Sequence, residues 1–481
     1  MLPRLLFVVL AAISVPAVAA DAPLPQPVAA KAEAAGIPAG AITFVVQRLS
    51  DGAPWASRGA DRSMQPASTL KLLTSMVALD TLGPAWRARS QLLATAEPKD
   101  GVLEGDVVLR GEGDMDLDAA AFERMLAALR ASGVRDIRGD FVLDRGYFQP
   151  ARTDVDVPPF DDTPEFRYNV IPDALLLDSN LMRLELSSDK EGMDARLATQ
   201  LDRVIVVSSS MALVDRTCED WEDGWKLPVV SEGANGTLLV TLQGDFPKSC
   251  SASTAINVID RVEFSERLFR ELWARHGGRL AGKVRDGSAP ANARVVAEHR
   301  SRPYSLLLHD INKRSDNPVT RMVFLSLGAL NDSPAPTAER SASVVRGWMA
   351  AHGIDREGLV LENGSGLSRV ERVTPAQLAG VLRVAAASPW APEFQASLPI
   401  VGVDGAFRRR LKDSPAATRA RIKTGTLRNA WSIAGYVTDA KGATHVLVAI
   451  INDEKAEAKV ARGVLDAFIE WVAVSSGPTK R

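Results

Sequence analysis

Three short groups of residues carry the chemistry this 481-residue chain can offer: Ser68-Thr69-Leu70-Lys71, Ser315-Asp316-Asn317 and Lys423-Thr424-Gly425. A serine hydroxyl is a poor nucleophile at its ordinary pKa and needs an adjacent base. On a helix, residues i and i+3 share a face, so Lys71 can reach the Ser68 hydroxyl. A lysine works as a base only when its pKa is lowered, and burial together with a second cation, Lys423, pushes it that way. The start of a helix also favours developing negative charge, which makes the backbone N–H of Ser68 an oxyanion donor.

The other two groups supply partners for that pair. Ser315 can relay a proton to a leaving amine, Asn317 can hydrogen-bond a substrate amide, and Asp316 points away and fixes the loop. In the strand expected over Ala420 to Leu427, Lys423 and Thr424 point to opposite faces and Thr426 shares a face with Thr424. Lys423 brings positive charge, Gly425 lets a substrate backbone approach closely, and the Thr426 N–H is the second oxyanion donor. The hydroxyls of Thr424 and Thr426 can bind a terminal carboxylate. Taken singly, Ser-x-x-Lys on a helix is usually a solvated pair and Lys-Thr-Gly a turn. Their joint occurrence, in this order, is what gives the signal weight.

Stepping outward, the periodicity shows what positions these residues. Leu72, Met76 and Leu79 recur at helical spacing, so a helix is expected from near Ser68 to Gly83-Pro84. Ala41 to Leu49 has strand composition, and the Ala- and Pro-rich residues 21–40 read as a leader into the first domain. From about residue 88 the pattern changes to short strands, with a helix over Ala119 to Ser132. Residues 150–165, crowded with Pro and Asp, read as an exposed connection. Residues 166–252 give many short strands, and a helix follows at Asp260 to Arg275. Helices are expected again over Thr337 to His352 and from Thr374-Pro375, with Thr as N-cap and Pro at the first helical position. Three strands (Ala420 to Leu427, Trp431 to Thr438, His445 to Ile451) and an amphipathic helix over Asp453 to Val474 close the chain.

Composition limits the function classes. Apolar residues make up 46% and charged residues 24%, and the net charge is -2 with no long run of one sign, so nucleic acid is not an expected partner. The five histidines are scattered without metal-ligand spacing. Arg4, the apolar run Leu5 to Ile13 and the small residues ending at Ala20 have the layout of a signal peptide over residues 1–20, which implies a periplasmic protein. The two cysteines, Cys218 and Cys250, favour one disulfide in an oxidising compartment. Two buried free thiols remain the alternative, because spacing alone does not bring the Cα atoms together.

The three motifs form the set found in penicillin-binding proteins and serine β-lactamases. The 247 residues from Ser68 to Ser315 narrow the resemblance further. The chain resembles the class C low-molecular-mass penicillin-binding proteins, a family of D-alanyl-D-alanine carboxypeptidases and endopeptidases whose catalytic domain is split by a nested insertion. Pro66 to Leu73, Gly111-Glu112-Gly113-Asp114, Ile137 to Asp140, Asn312 to Asn317 and Asn363 to Arg369 match that pattern. Met115, Asn363 and the Gly402 to Phe407 turn depart from it.

The resemblance implies an α/β (α+β) penicillin-binding/serine β-lactamase-like transpeptidase fold with two nested, mainly β inserted domains. Its expected division is residues 21–88 catalytic, 89–165 inserted domain II, 166–252 nested domain III, 253–295 domain II again, and 296–481 catalytic. It also implies a serine D,D-peptidase acting on peptidoglycan stem peptides through an acyl-Ser68 intermediate, acylated by β-lactams, with no cofactor or metal and no transmembrane segment in the mature chain. A serine β-lactamase, or a non-catalytic cell-wall-binding protein on the same scaffold, are the alternatives.

Overall fold

Five antiparallel strands carry the third motif at one edge of a sheet: Ala420–Leu427, Ala430–Thr438, Thr444–Asn452, Ile42–Arg48 and Pro54–Arg58, in that spatial order. The structure is a computed structural model that describes residues 21–477, so the expected signal peptide lies outside the described residues. In Thr444–Asn452, Val446, Val448 and Ile450 enter one core while Leu447, Ala449 and Ile451 enter another. Both faces of the sheet are therefore covered, which explains why this antiparallel strand reads as an unbroken apolar run.

The helices Gln26–Ala34 and Ala458–Val474 cover one face. Residues 21–40, expected to be a leader, thus contain a helix whose Val28 and Ala32 are core residues. Its two turns are too short for a periodic signal, and the Pro residues at its start suit a first helical turn. The other face carries Lys71–Leu82, Tyr304–Asn312, Asn317–Ala329, Thr337–Ala351, Pro375–Ala387 and Ala391–Ser397. Every residue from Lys71 to Leu79 is buried, so the helix after the nucleophile runs through the middle of the domain. Pro375–Ala387 starts with a capping box between Thr374 and Gln377.

Between Lys71–Leu82 and Tyr304–Asn312 the chain builds a second body. Its sheet orders the strands Val284–Asp286, Phe141–Asp144, Val107–Glu112, Arg89–Ala94 and Arg294–Arg300, with Ala119–Ala131 and Arg261–Arg275 packed on one face. Pairing of Arg294–Arg300 with Arg89–Ala94 carries this sheet five residues beyond the expected return at 295. Within it nest a four-stranded sheet (Val204–Val207, Ala212–Val214, Trp225–Glu232, Leu238–Pro247) and a three-stranded one (Met182–Ser188, Met193–Leu197, Ser251–Ile256). Cys218 and Cys250 are bonded there, with Cα atoms 5.3 Å apart. Among the described residues, no helix is long and apolar enough to cross a membrane.

Candidate active site

Ser68 sits on a turn held from both sides. Ala67–Leu70 form a single 3-10 turn, and the α-helix proper begins at Lys71, slightly later than the sequence suggests. Ala67 has φ 47°, a left-handed conformation disfavoured for a residue with a Cβ, so the turn is strained next to the nucleophile. The Thr69 hydroxyl lies 2.8 Å from the Pro66 carbonyl oxygen and 3.0 Å from Ser432 Oγ, and Ser432 donates to the same carbonyl, which ties the turn to the sheet. A Cβ on Gly425 would lie 2.8 Å from the Ser68 nitrogen, and one on Gly366 would overlap the Ala67 carbonyl. Only glycine lets the motif strand and the 362–366 loop come this close to the nucleophile.

Lys71 is fully buried and makes three contacts. Its Nζ lies 2.9 Å from Ser68 Oγ, 2.6 Å from Asn317 Oδ1 and 2.5 Å from the Ser365 carbonyl oxygen. The Asn317 amide is oriented by its Nδ2, which donates to the Tyr168 carbonyl at 3.0 Å. A neutral amine has two N–H bonds and one lone pair. Asn317 Oδ1 and the Ser365 carbonyl can only accept, so they take the two N–H bonds and leave the lone pair for the Ser68 hydroxyl proton. Burial first, and then the positive charge of Lys423, hold the Lys71 pKa well below its ordinary value.

Lys423, from the motif strand, is buried as well. Its Nζ donates to Ser315 Oγ at 2.9 Å and to the Thr424 carbonyl at 2.8 Å, and burial pushes its pKa down to about 7. Ser315 takes the left-handed region (φ 60°), a second strained position in the site. Asp316 turns away from the cleft. It caps Asn317–Ala329 by accepting from Val319 N at 2.9 Å and pairs with Arg167 of the inserted body at 2.9 Å.

These residues open onto a cleft of about 670 Å³ lined by Ser68, Ser315, Asn317, Thr426, Tyr168 and Arg369 among others. Of the motif residues foreseen in the sequence, Ser68, Ser315, Asn317 and Thr426 line this cleft, and Lys71 and Lys423 lie behind it, bonded to Ser68 and Ser315. Thr424 faces a separate hollow beside Arg410 and Arg462, a hollow that Gly425 and Thr426 also border. Among the described residues, no group of three or more His, Cys, Asp or Glu could hold a metal ion.

Three contributors escaped the sequence reading. The Ser365 carbonyl is backbone and carries no side-chain signature. Tyr168 reaches the site from the inserted body, far from any motif. Glu371 is fully buried and accepts four backbone N–H groups, from Glu362 (3.1 Å), Asn363 (2.9 Å), Gly364 (2.7 Å) and Gly366 (2.9 Å). The only available signal was a lone acidic residue five positions after Gly366, which sequence reasoning cannot distinguish from a surface charge.

Known proteins resemble this chain over most of their length. The sequence profile described as the D-Ala-D-Ala carboxypeptidase 3 (S13) family matches residues 24–473. A D-alanyl-D-alanine carboxypeptidase of Actinomadura sp. (strain R39) is 29% identical over 413 residues, which span 83% of this chain and 75% of that protein. Penicillin binding protein 4 (dacB) of Haemophilus influenzae has a crystal structure that superposes with a TM-score of 0.74 at 24% identity, covering 92% of this chain and 97% of that one. The same protein complexed with a β-lactam gives a TM-score of 0.71 at 23% identity, covering 93% and 100%. These structures establish the penicillin-binding protein fold for this chain.

Proposed function

Because the chain belongs to the D-Ala-D-Ala carboxypeptidase 3 (S13) family and is a serine-type D-Ala-D-Ala carboxypeptidase, we propose that Ser68 is its nucleophile and Lys71 the base. The observation that carries this reading is the contact set of Lys71, whose only acceptor that can also donate a proton is Ser68 Oγ. Ser68 attacks the carbonyl of the penultimate D-Ala as its proton passes to Lys71. The N–H groups of Ser68 and Thr426 receive the developing oxyanion. The leaving amine takes a proton through Ser315, whose hydroxyl is held by Lys423, and water then hydrolyses the acyl-enzyme. Asn317 orients the substrate amide, the Thr426 hydroxyl engages the terminal carboxylate, and Gly425 leaves room for the substrate backbone.

The substrates in this reading are peptidoglycan stem peptides in the periplasm, reached after removal of residues 1–20. They include the terminal D-Ala-D-Ala bond and the D-Ala–diaminopimelate cross-link. β-Lactams acylate the same serine, as the complex of the Haemophilus protein suggests by analogy. The test compares wild type with Ser68→Ala on purified cross-linked muropeptides and on a labelled penicillin. Wild type should release one D-Ala from pentapeptides, split dimers and form a long-lived penicillin adduct, while the variant should do none of these. Cleavage that survives in Ser68→Ala sinks the assignment, and adduct turnover within seconds favours a β-lactamase.

A further inference from the structure

The loop 362–366 is the part of the site that the mechanism leaves unexplained. Ser365 offers its carbonyl to Lys71 and Gly364 offers its carbonyl to Thr74 Oγ1 at 2.6 Å, one turn further along the nucleophile helix. Such a loop, built on Gly364 and Gly366 at φ 72° and 79°, has no regular structure to hold it. Glu371 supplies the hold. One carboxylate oxygen accepts from Glu362, Asn363 and Gly364, and the other from Gly366, so Ser365 is bracketed by anchored neighbours. Asn363 completes the clamp by accepting from the Ser365 N–H (3.0 Å) and Oγ (2.6 Å).

We infer that Glu371 is a positioning residue for acylation: it fixes the Ser365 carbonyl that aims the Lys71 lone pair, and its negative charge stabilises the ammonium that Lys71 becomes on taking the Ser68 proton. This rests on the proposed roles of Ser68 and Lys71. A neutral group could close a loop, so what singles out a carboxylate is its charge. Burial raises the Glu371 pKa, and the four backbone N–H groups that it accepts work against that shift and favour the carboxylate. The charged groups facing Lys71 are Lys423 on the motif strand, Asp316 and Arg321 at the helix Asn317–Ala329, and Glu371 itself. Arg321 and Lys423 oppose protonation of the amine, while Glu371 and Asp316 favour it. Burial lowers the Arg321 pKa to about 10, and the charges of Glu371 and Glu362 offset part of that shift.

Two consequences separate positioning from simple loop closure. Replacing Glu371 by Gln keeps one acceptor oxygen for Glu362, Asn363 and Gly364, gives up the acceptor for Gly366, and removes the charge. Loss of a nearby negative charge lowers the Lys71 pKa, so the free amine persists to lower pH. The acid limb of the acylation rate then moves down by about one pH unit. Replacing Glu371 by Ala removes the anchors, and a carbonyl misplaced by about 1 Å lowers the acylation rate by about 10²-fold.

The experiment measures the second-order acylation rate by a fluorescent penicillin from about pH 5 to pH 10. It uses the full-length exported protein as wild type, E371Q, E371D and E371A, with circular dichroism to establish that each is folded. The inference predicts an acid limb shifted downward in E371Q and returned towards wild type in E371D, which keeps the charge with a reduced plateau. An unmoved limb in folded E371Q, whatever its stability, overturns the inference even if E371A does not fold. Ser68→Ala in the same assay separates the two claims. If that variant is still acylated, the nucleophile assignment fails. If it is inert while the E371Q limb stays in place, only the role of Glu371 fails.

Discussion

Asp173 in the inserted body and Lys71 in the catalytic domain are both fully buried ionisable groups, and they are partnered in opposite ways. Asp173 receives Arg145 at 2.9 Å and Arg261 at 2.5 Å, together with the Leu175 N–H at 2.8 Å. Arg145 and Arg261 are themselves buried and extend to Asp286 and Asp154. That cluster joins the 171–175 segment to the helix Arg261–Arg275 and to the end of strand Phe141–Asp144. Lys71, by contrast, donates only to neutral oxygens, and the charge of Lys423 opposes its protonation. Burial with a counter-ion fixes a charge in place, whereas burial without a direct one makes the proton easy to remove. The first arrangement holds the insertion together. The second gives the chain a base.

The comparison can be broken first at Lys71. Lys71→Ala should lower penicillin acylation by about 10³-fold or more while leaving the melting temperature equal to or above that of wild type, because an unfavourably buried amine is gone. Stopped-flow acylation and thermal denaturation check the two halves, and a rate within tenfold of wild type removes Lys71 as the base. Asp173→Ala should do the reverse. Leaving Arg145 and Arg261 buried without their shared acceptor should destabilise the protein by about 3–5 kcal/mol, read by denaturant unfolding. The acylation rate per folded molecule should stay near wild type. Should acylation collapse while stability holds, the insertion is coupled to the chemistry rather than only built beside it.

The smallest effect sharpens the contrast through pH. Lys423 has a folded pKa of about 7, far below its unfolded value, and Lys71 is lowered too. Above the folded pKa the unfolded chain binds more protons than the native one, so stability rises with pH from about 7 towards the unfolded lysine value. The slope for a single lysine is at most about 1.4 kcal/mol per pH unit. Unfolding curves between about pH 7 and pH 9 should show this rise in wild type and a shallower one in Lys423→Met. A stability profile that is identical in the two proteins would mean that Lys423 stays charged in the native state.

Much of the catalytic half was legible because its signals are local. An unbroken apolar run marks Thr444–Asn452 as a strand, Leu72, Met76 and Leu79 mark the nucleophile helix, and Thr374 with Pro375 marks a helix start. The short helix Gln26–Ala34 was not legible, since its burial comes from docking onto Ala458–Val474, more than 400 residues away. The strand that follows residue 293 was equally hard to read. Arg294–Arg300 is an edge strand whose only partner is Arg89–Ala94, and its exposed outer residues blur the alternation. In the site, Ser68, Lys71, Ser315, Asn317, Lys423 and Thr426 could be named from residue type and order. Thr424 was expected to join them at the cleft, and its side of the strand faces the Arg410 hollow instead.

The sequence by itself determined which groups can react, because nucleophile, amines and amide are side chains in short motifs whose spacing follows from helix and strand geometry. Only the tertiary structure decided how those groups are poised. The Ser365 carbonyl that takes a Lys71 N–H lies 294 residues from it, and the Tyr168 carbonyl that orients Asn317 lies 149 residues away in the inserted body. Both are backbone atoms with no residue signature. The proton affinity of a lysine depends on burial and on which charges end up beside it. Those quantities exist only once the sheet, the helices and the 362–366 loop have closed around the amine.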